Sequence, residues 1–214
     1  MAAFFCCNEV PEQTPAPTPS SGAFIESDGL VVVEMESLDL PSGWTLRSDD
    51  SSALGQYIEW TDPNSLQTPG NGLISVRVII QNPGNYQFIW RNSIREGTST
   101  IDANDSFLRI LADNYYGFRS GDNSTVCPRE QPASNRCVGR DPEGSSSDGW
   151  FKVYRSGGPV SSFIWSTRTS DSYAHSIFAE FDRAGSMKYK SLVVLDLMLL
   201  IALLYFVLEI QVIT

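Results

Sequence analysis

The chain is poor in the residues from which most catalytic and metal centres are built. One histidine and four cysteines in 214 residues leave little material for a zinc site or a histidine-based hydrolytic triad. Cationic residues are also scarce: Lys+Arg 15 against Asp+Glu 25 gives a formal net charge of -10. That balance argues against nucleic-acid binding, which needs a basic footprint to displace counterions from phosphate. No Gly-rich phosphate loop, nucleophile elbow or metalloprotease motif occurs, and no stretch carries the period of a long amphipathic helix. Acidic residues are numerous, yet no spacing singles out the facing pair that a glycosidase requires. The chain reads as non-catalytic.

What remains is abundant turn-formers, Gly 16 and Pro 12, within a chain that is 42% hydrophobic. The length suits one domain with flanking segments. Residues 1–21 are expected to combine the end of an export signal with a Pro/Thr/Ser-rich linker. Cys6 or Cys7 would carry a lipid in a lipoprotein reading, and a mis-assigned start is the plainer alternative. From residue 22 to 186, short alternating runs sit between turn clusters. Ile74, Val76, Val78 and Ile80 share one face of a strand, and Ser75 and Arg77 share the other. Asn82-Pro83-Gly84-Asn85 is a turn, and Tyr86 to Arg91 alternates again. Further strands are expected at Gly29–Glu36, Gln56–Trp60, Ser106–Leu111, Trp150–Tyr154, Ser162–Ser166 and Ser176–Phe181. This is the pattern of an all-β, antiparallel β-sandwich.

A long loop is expected from about Asp113 to Gly149, rich in Gly, Ser, Asn and Asp. Cys127 and Cys137 are close enough within it to form a disulfide staple, which suits an exported protein; two free thiols in a reducing compartment are the alternative. Beyond Gly185 the character changes. Leu192 to Leu208 is apolar apart from Asp196, so residues 187–214 form a separate apolar tail. As a membrane anchor through 192–208 it is marginal, since a span needs roughly 20 apolar residues and a mid-bilayer charge costs about 2.5–3.5 kcal/mol.

Several segments together carry a family likeness. Glu34-Met35-Glu36, Gly55-Gln56-Tyr57-Ile58-Glu59-Trp60, Pro83 to Arg91 and Asn104 to Arg109 resemble the jelly-roll carbohydrate-binding modules of families six and thirty-five. Gly149 to Tyr154 and Thr169 to Phe178 fit the same group, and the likeness covers about Phe24 to Gly185. It implies a monomeric, extracellular or cell-surface module that binds polysaccharide. A membrane-anchored adhesion protein, or a detached accessory domain of a glycoside hydrolase, is the alternative. The resemblance also implies a structural calcium held by Glu34 and Glu36, joined by an aspartate near the C-terminus. Read from the residues alone, these are two exposed glutamates on one face of a strand.

Sugar recognition needs flat aromatic faces and planar polar groups. The candidates are Tyr115, Tyr116, Trp150 and Trp165, with Arg91, Asn104, Asp105 and His175 as hydrogen-bonding partners. Tyr115 and Tyr116 are expected to be exposed. Arg91 could instead clamp Asp105, and His175 could instead make a loop-end hydrogen bond. The implied final strand is missing after Ala184-Gly185. Back-translated and read two bases later from the Ser186 codon, however, the tail is compatible with YEIQVSGRSGSHAADR, the ending the resemblance implies. A frameshift would leave an apolar tail that either helps close the sandwich as a substitute strand or forms a helix beside it; the helix is the expectation.

Overall fold

The structure is a computed structural model. It describes residues 22–48, 55–63, 72–94, 97–100, 103–129, 136–138, 149–155, 157–169, 174–183, 190–195 and 199–207. The expected signal and linker, most of the Gly/Ser-rich part of the loop, and the start of the tail lie outside these residues.

Among the described residues there are fifteen strands and one short 3-10 turn. In chain order the first strands are β1 (Phe24–Ile25), β2 (Leu30–Val33), β3 (Trp44–Ser48), β4 (Gln56–Trp60) and β5 (Ile74–Ile79), with the 3-10 turn at Met35–Ser37. Next come β6 (Gly84–Ile94), β7 (Asp105–Ile110), β8 (Asn114–Arg119), β9 (Ser124–Val126) and β10 (Phe151–Tyr154). The last are β11 (Ile164–Trp165), β12 (Arg168–Thr169), β13 (Ser176–Phe181), β14 (Lys190–Leu195) and β15 (Leu199–Val207). One sheet runs β1-β5-β14-β7-β10-β12. The other runs β3-β4-β15-β6-β13-β8-β9, with β11 on β6 and β2 on β15. From β4 to β8 successive strands alternate between the sheets, the crossing pattern of a jelly roll. Every pairing is antiparallel except β1 with β5.

The alternation read from the sequence sets the layers. Ile74, Val76 and Val78 of β5 point into the core, while Ser75 and Arg77 are exposed. Tyr86, Phe88 and Trp90 of β6 enter the same core, Trp90 fully buried. They meet Ile58 and Trp60 from β4, Leu108 and Ile110 from β7, and Phe151 and Val153 from β10. A one-residue slip in any of these strands would carry its apolar set to solvent, so the register is strongly determined.

Two expectations need correction. The expected loop from Asp113 begins with two further strands, β8 and β9. Its second residue pair, Tyr115-Tyr116, therefore lies on a pleated strand, one side chain to each face. Gly117 permits this crowding, because a Cβ there would stand 2.8 Å from the Val126 side chain. The expected disulfide is present, joining Cys127 and Cys137.

The tail is not helical over its described stretches. β14 lies between β5 and β7, and β15 lies between β4 and β6 while also pairing with β2. Each sheet would otherwise present rows of backbone donors and acceptors without partners, and a strand satisfies them where a helix would not.

One buried charge secures the N-terminal corner. Glu26 follows β1 at the Asp28-Gly29 turn, where both residues have positive φ and Ser27 bridges Leu30. Its carboxylate is fully buried and accepts from the backbone N–H of Gly29 at 2.5 Å, Gln81 at 2.9 Å and Asn82 at 2.8 Å, and from the Asn82 amide at 2.9 Å. Burial pushes its pKa up, but the hydrogen bonds from Asn82, Gly29 and Gln81 outweigh that and hold the carboxyl below the ordinary value of 4.5. Its contribution is therefore present above the unfolded pKa and is lost as pH falls through the folded one. Glu26→Gln should lower unfolding stability by about 1–3 kcal/mol in neutral urea melts. The deficit should shrink in acid, and a deficit independent of pH would contradict this assignment.

Candidate functional site

The outer face of the larger sheet carries the most accessible aromatic among the candidates. Trp165, in β11 at the sheet edge, is 41% exposed and pairs in register with Arg91 of β6. The Arg91 guanidinium lies over the Phe163 ring at 5.4 Å, and Phe163 in turn packs against Tyr57 at 5.5 Å. The strand bearing Trp165 is fastened to β6 by three further bonds. Ser166 N–H donates to the Trp90 carbonyl at 3.2 Å, the Asn92 amide donates to the Ser166 carbonyl at 2.7 Å, and Trp90 N–H donates to the Thr167 hydroxyl at 3.1 Å. These bonds fix the strand that carries Trp165, so its backbone need not be ordered when a ligand arrives. Phe163 and Tyr57 were not among the sequence candidates. The signal was present, because Phe163 and Trp165 stand two apart and so share a strand face.

The other aromatic candidates are placed differently. Tyr115 is 1% exposed, sits edge-on to Phe151 at 4.9 Å and donates its hydroxyl to the Leu108 carbonyl at 2.9 Å. Tyr116 faces outward on β8 but is 3% exposed, stacked on Phe178 at 5.7 Å and capped by the Arg136 guanidinium at 4.9 Å. Arg136 is itself fixed to Glu180 at 2.7 Å, beside disulfide-bonded Cys137. The expected exposure of this tyrosine pair is thus overturned: one ring fills the core and the other is covered.

Trp150 is buried against Phe107, with the Arg109 guanidinium 6.0 Å from its ring. His175 is 1% exposed, its Nε2 sharing a 2.8 Å hydrogen bond with the Ser124 hydroxyl, which is the loop-end bond the sequence offered as an alternative. Asn104 is buried and donates its amide to the Arg155 carbonyl at 3.1 Å. Asp105 pairs with Lys152 at 2.9 Å and not with Arg91, which belongs to the other sheet. Of the eight sugar-contact candidates, the structure brings together Trp165 and Arg91 on one outer face; Asp105 and buried Trp150 belong to the other sheet, two rows apart.

Glu34 and Glu36 flank Met35 in the 3-10 turn that follows β2, so they do not lie along a strand as expected. Ser37 donates its hydroxyl to the Glu34 carbonyl at 2.7 Å and tightens the turn. Glu34 Oε2 and both carboxylate oxygens of Glu36 are buried without a hydrogen-bond partner. Burial, and then the charge of Glu36, push the Glu34 pKa up to about 7. Burial raises that of Glu36 as well. Two desolvated acids with orphaned oxygens fit a hard cation, which would supply the missing partner. Among the described residues no third Asp, Glu, His or Cys joins them in a group.

Other buried polar atoms without a partner gather near β15. Among them are Trp90 Nε1, Asn92 Oδ1 and Ser93 Oγ of β6 and Trp60 Nε1 of β4; Asn85 Oδ1 and two nitrogens of the fully buried Arg155 are further cases elsewhere. β15 pairs across from three of these residues, with Leu204 opposite Trp90, Ile201 opposite Asn92 and Leu200 opposite Ser93.

No family model matches the chain, and no curated protein matches it. Among solved structures it is similar to a Cry1Da tryptic core variant from Bacillus thuringiensis, with 12% identity and a TM-score of 0.37. That likeness covers 83% of this chain and spans 23% of the toxin core.

The glutamate pair makes a pH prediction. Its folded pKa is raised, so the folded state holds a proton that the unfolded chain has released, and stability falls as pH rises from about 4.5 towards 7. In chelator, the thermal midpoint should decline across that window, and Glu34→Gln should flatten the decline. A midpoint indifferent to the substitution would contradict it.

Proposed function

We propose that this chain is a non-catalytic, secreted or cell-surface carbohydrate-binding β-sandwich that acts as a monomer and takes structural calcium at Glu34 and Glu36. The observation that carries the reading is the exposed Trp165 side chain, in register with Arg91 on the same sheet face. An aromatic plane covers the C–H surface of a pyranose, while the outer N–H donors of a guanidinium in the same row, whose Nη1 is buried, would meet its hydroxyls. The jelly-roll order of strands and the sequence likeness to families six and thirty-five support the same reading. The orphaned oxygens of Glu34 and Glu36 support the calcium, which would add charge compensation and no chemistry on the ligand. The unpartnered polar atoms beside β15 support the view that its apolar sequence replaces a more polar strand read in another frame. Resequencing across the Gly185 codon checks that view, and an intact frame there would refute it.

Affinity electrophoresis against a panel of soluble polysaccharides tests the function. At least one should retard the full chain, and Trp165→Ala should weaken that retardation by about tenfold or more, equivalent to about 1.4 kcal/mol. Unchanged binding by the variant would remove the proposed face. Calcium should raise the thermal midpoint, and Glu36→Gln should abolish the rise.

A further inference from the structure

The outer face of the smaller sheet has a charge pattern unlike the rest of the chain. Paired residues in a sheet share a face, so the registers place its side chains in rows. Arg77 of β5 is opposite Ser191, two residues along from the row that joins Ser75, Val193 and Arg109. Phe107 and Lys152 share the row two residues further on, and Asp105, Tyr154 and Arg168 share the row after that. Arg77, Arg109, Lys152 and Arg168 therefore descend one row at each step while moving across β5, β7, β10 and β12. They form a diagonal stripe. With strands about 4.8 Å apart and about 3.4 Å of rise per residue, the stripe runs about 28 Å. Phe107, Trp150 and Tyr154 lie along it, and Asp105 is the one carboxylate that the described strands place on this face.

A chain with net charge -10 has aligned four of its few cations on one face. Arg109 lies over the Trp150 ring, and Lys152 already holds the Asp105 carboxylate at 2.9 Å, so the stripe takes a carboxylate beside an aromatic within the protein itself. We infer that this face binds a linear polyuronate, a glycan with a carboxylate on every sugar, laid along the diagonal from Arg77 to Arg168. This rests on the carbohydrate-binding reading and assigns it a second face, independent of Trp165. Regularly spaced carboxylates complement a line of cations, and Arg receives a carboxylate through two parallel N–H donors. Lys152 would exchange Asp105 for a ligand carboxylate, and a sugar ring would lie against half-buried Tyr154, Phe107 and Trp150 being buried beneath the face.

Affinity electrophoresis of the full chain in polygalacturonate, in neutral glucan and in dextran sulfate tests this. Polygalacturonate should retard the chain, and the retardation should fade as salt rises from about 0.02 M to about 0.5 M. Arg77→Glu and Arg109→Gln should each weaken it several-fold. Arg47→Glu, an equal change of charge on the other sheet, is the control. Arg77 is exposed on its strand, so Arg77→Glu reads the stripe even where Arg109→Gln impairs folding. Loss equal to that of the Arg47 control would show an effect of net charge alone and overturn the inference. Retardation by neutral glucan without polygalacturonate would overturn it too, and leave the carbohydrate-binding reading standing. Dextran sulfate retarding the chain where polygalacturonate does not would overturn the choice of carboxylate. Retardation by none of the three, and by no other glycan of the panel, would overturn both readings.

Discussion

The structure depends on one segment being paired on both sides, in both sheets. β14 fills the gap between β5 and β7, and β15 fills the gap between β6 and the edge formed by β2 and β4. Strand pairing across these gaps satisfies backbone groups that burial in the sandwich would otherwise leave at a cost of about 1–3 kcal/mol each. The last strands of the chain thus join halves of each sheet that are otherwise connected only through the other layer. The two outer faces inherit their strand spacing from that closure. Arg77 and Arg109 keep their relation through β14, and Arg91 keeps its relation to Tyr57 through β15.

That closure also explains where the polar strain collects. Backbone pairing is indifferent to side chains, so an apolar sequence can complete a ladder built for another strand. The side-chain partners are less forgiving. Asn92, Ser93 and Trp90 keep buried polar atoms without a partner beside β15, and Glu34 and Glu36 keep theirs in the adjoining turn. A cation relieves the glutamates, whereas the others need donors and acceptors from a neighbouring strand. The two outer faces then divide the work of recognition. One offers an exposed indole with a guanidinium beside it, suited to a neutral sugar plane, and the other offers a line of cations.

Much of the fold was legible in the sequence because period-two alternation is a direct statement of which face is buried. β5, β6, β10 and β13 fall where the alternation places them, and Cys127 and Cys137 pair as their loop spacing suggested. The tail was not legible as to type: a continuous apolar run is compatible with a buried strand or a helix, and only the empty places in the sheets decide between them. The binding candidates were harder. Tyr115 and Tyr116 sit before a Gly-rich stretch, which suggested a loop, yet the hairpin closes later, at Asp122-Asn123. Trp150 and His175 carry polar handles that read equally well as ligand contacts or as core hydrogen bonds. The diagonal of cations was invisible, since it exists only in the registers that bring distant strands together.

The most direct measurement is amide hydrogen exchange along the C-terminal strands of the full chain. Amides of Leu199–Val207 that bond to β6 should be protected to within about tenfold of the β6 amides themselves, because both would open only with the sheet. The Lys190–Leu195 amides paired with β5 and β7 should behave likewise. Exchange of these segments at the rate of an unstructured peptide, while β5, β6 and β7 stay protected, would contradict the account: the sandwich would then close without them.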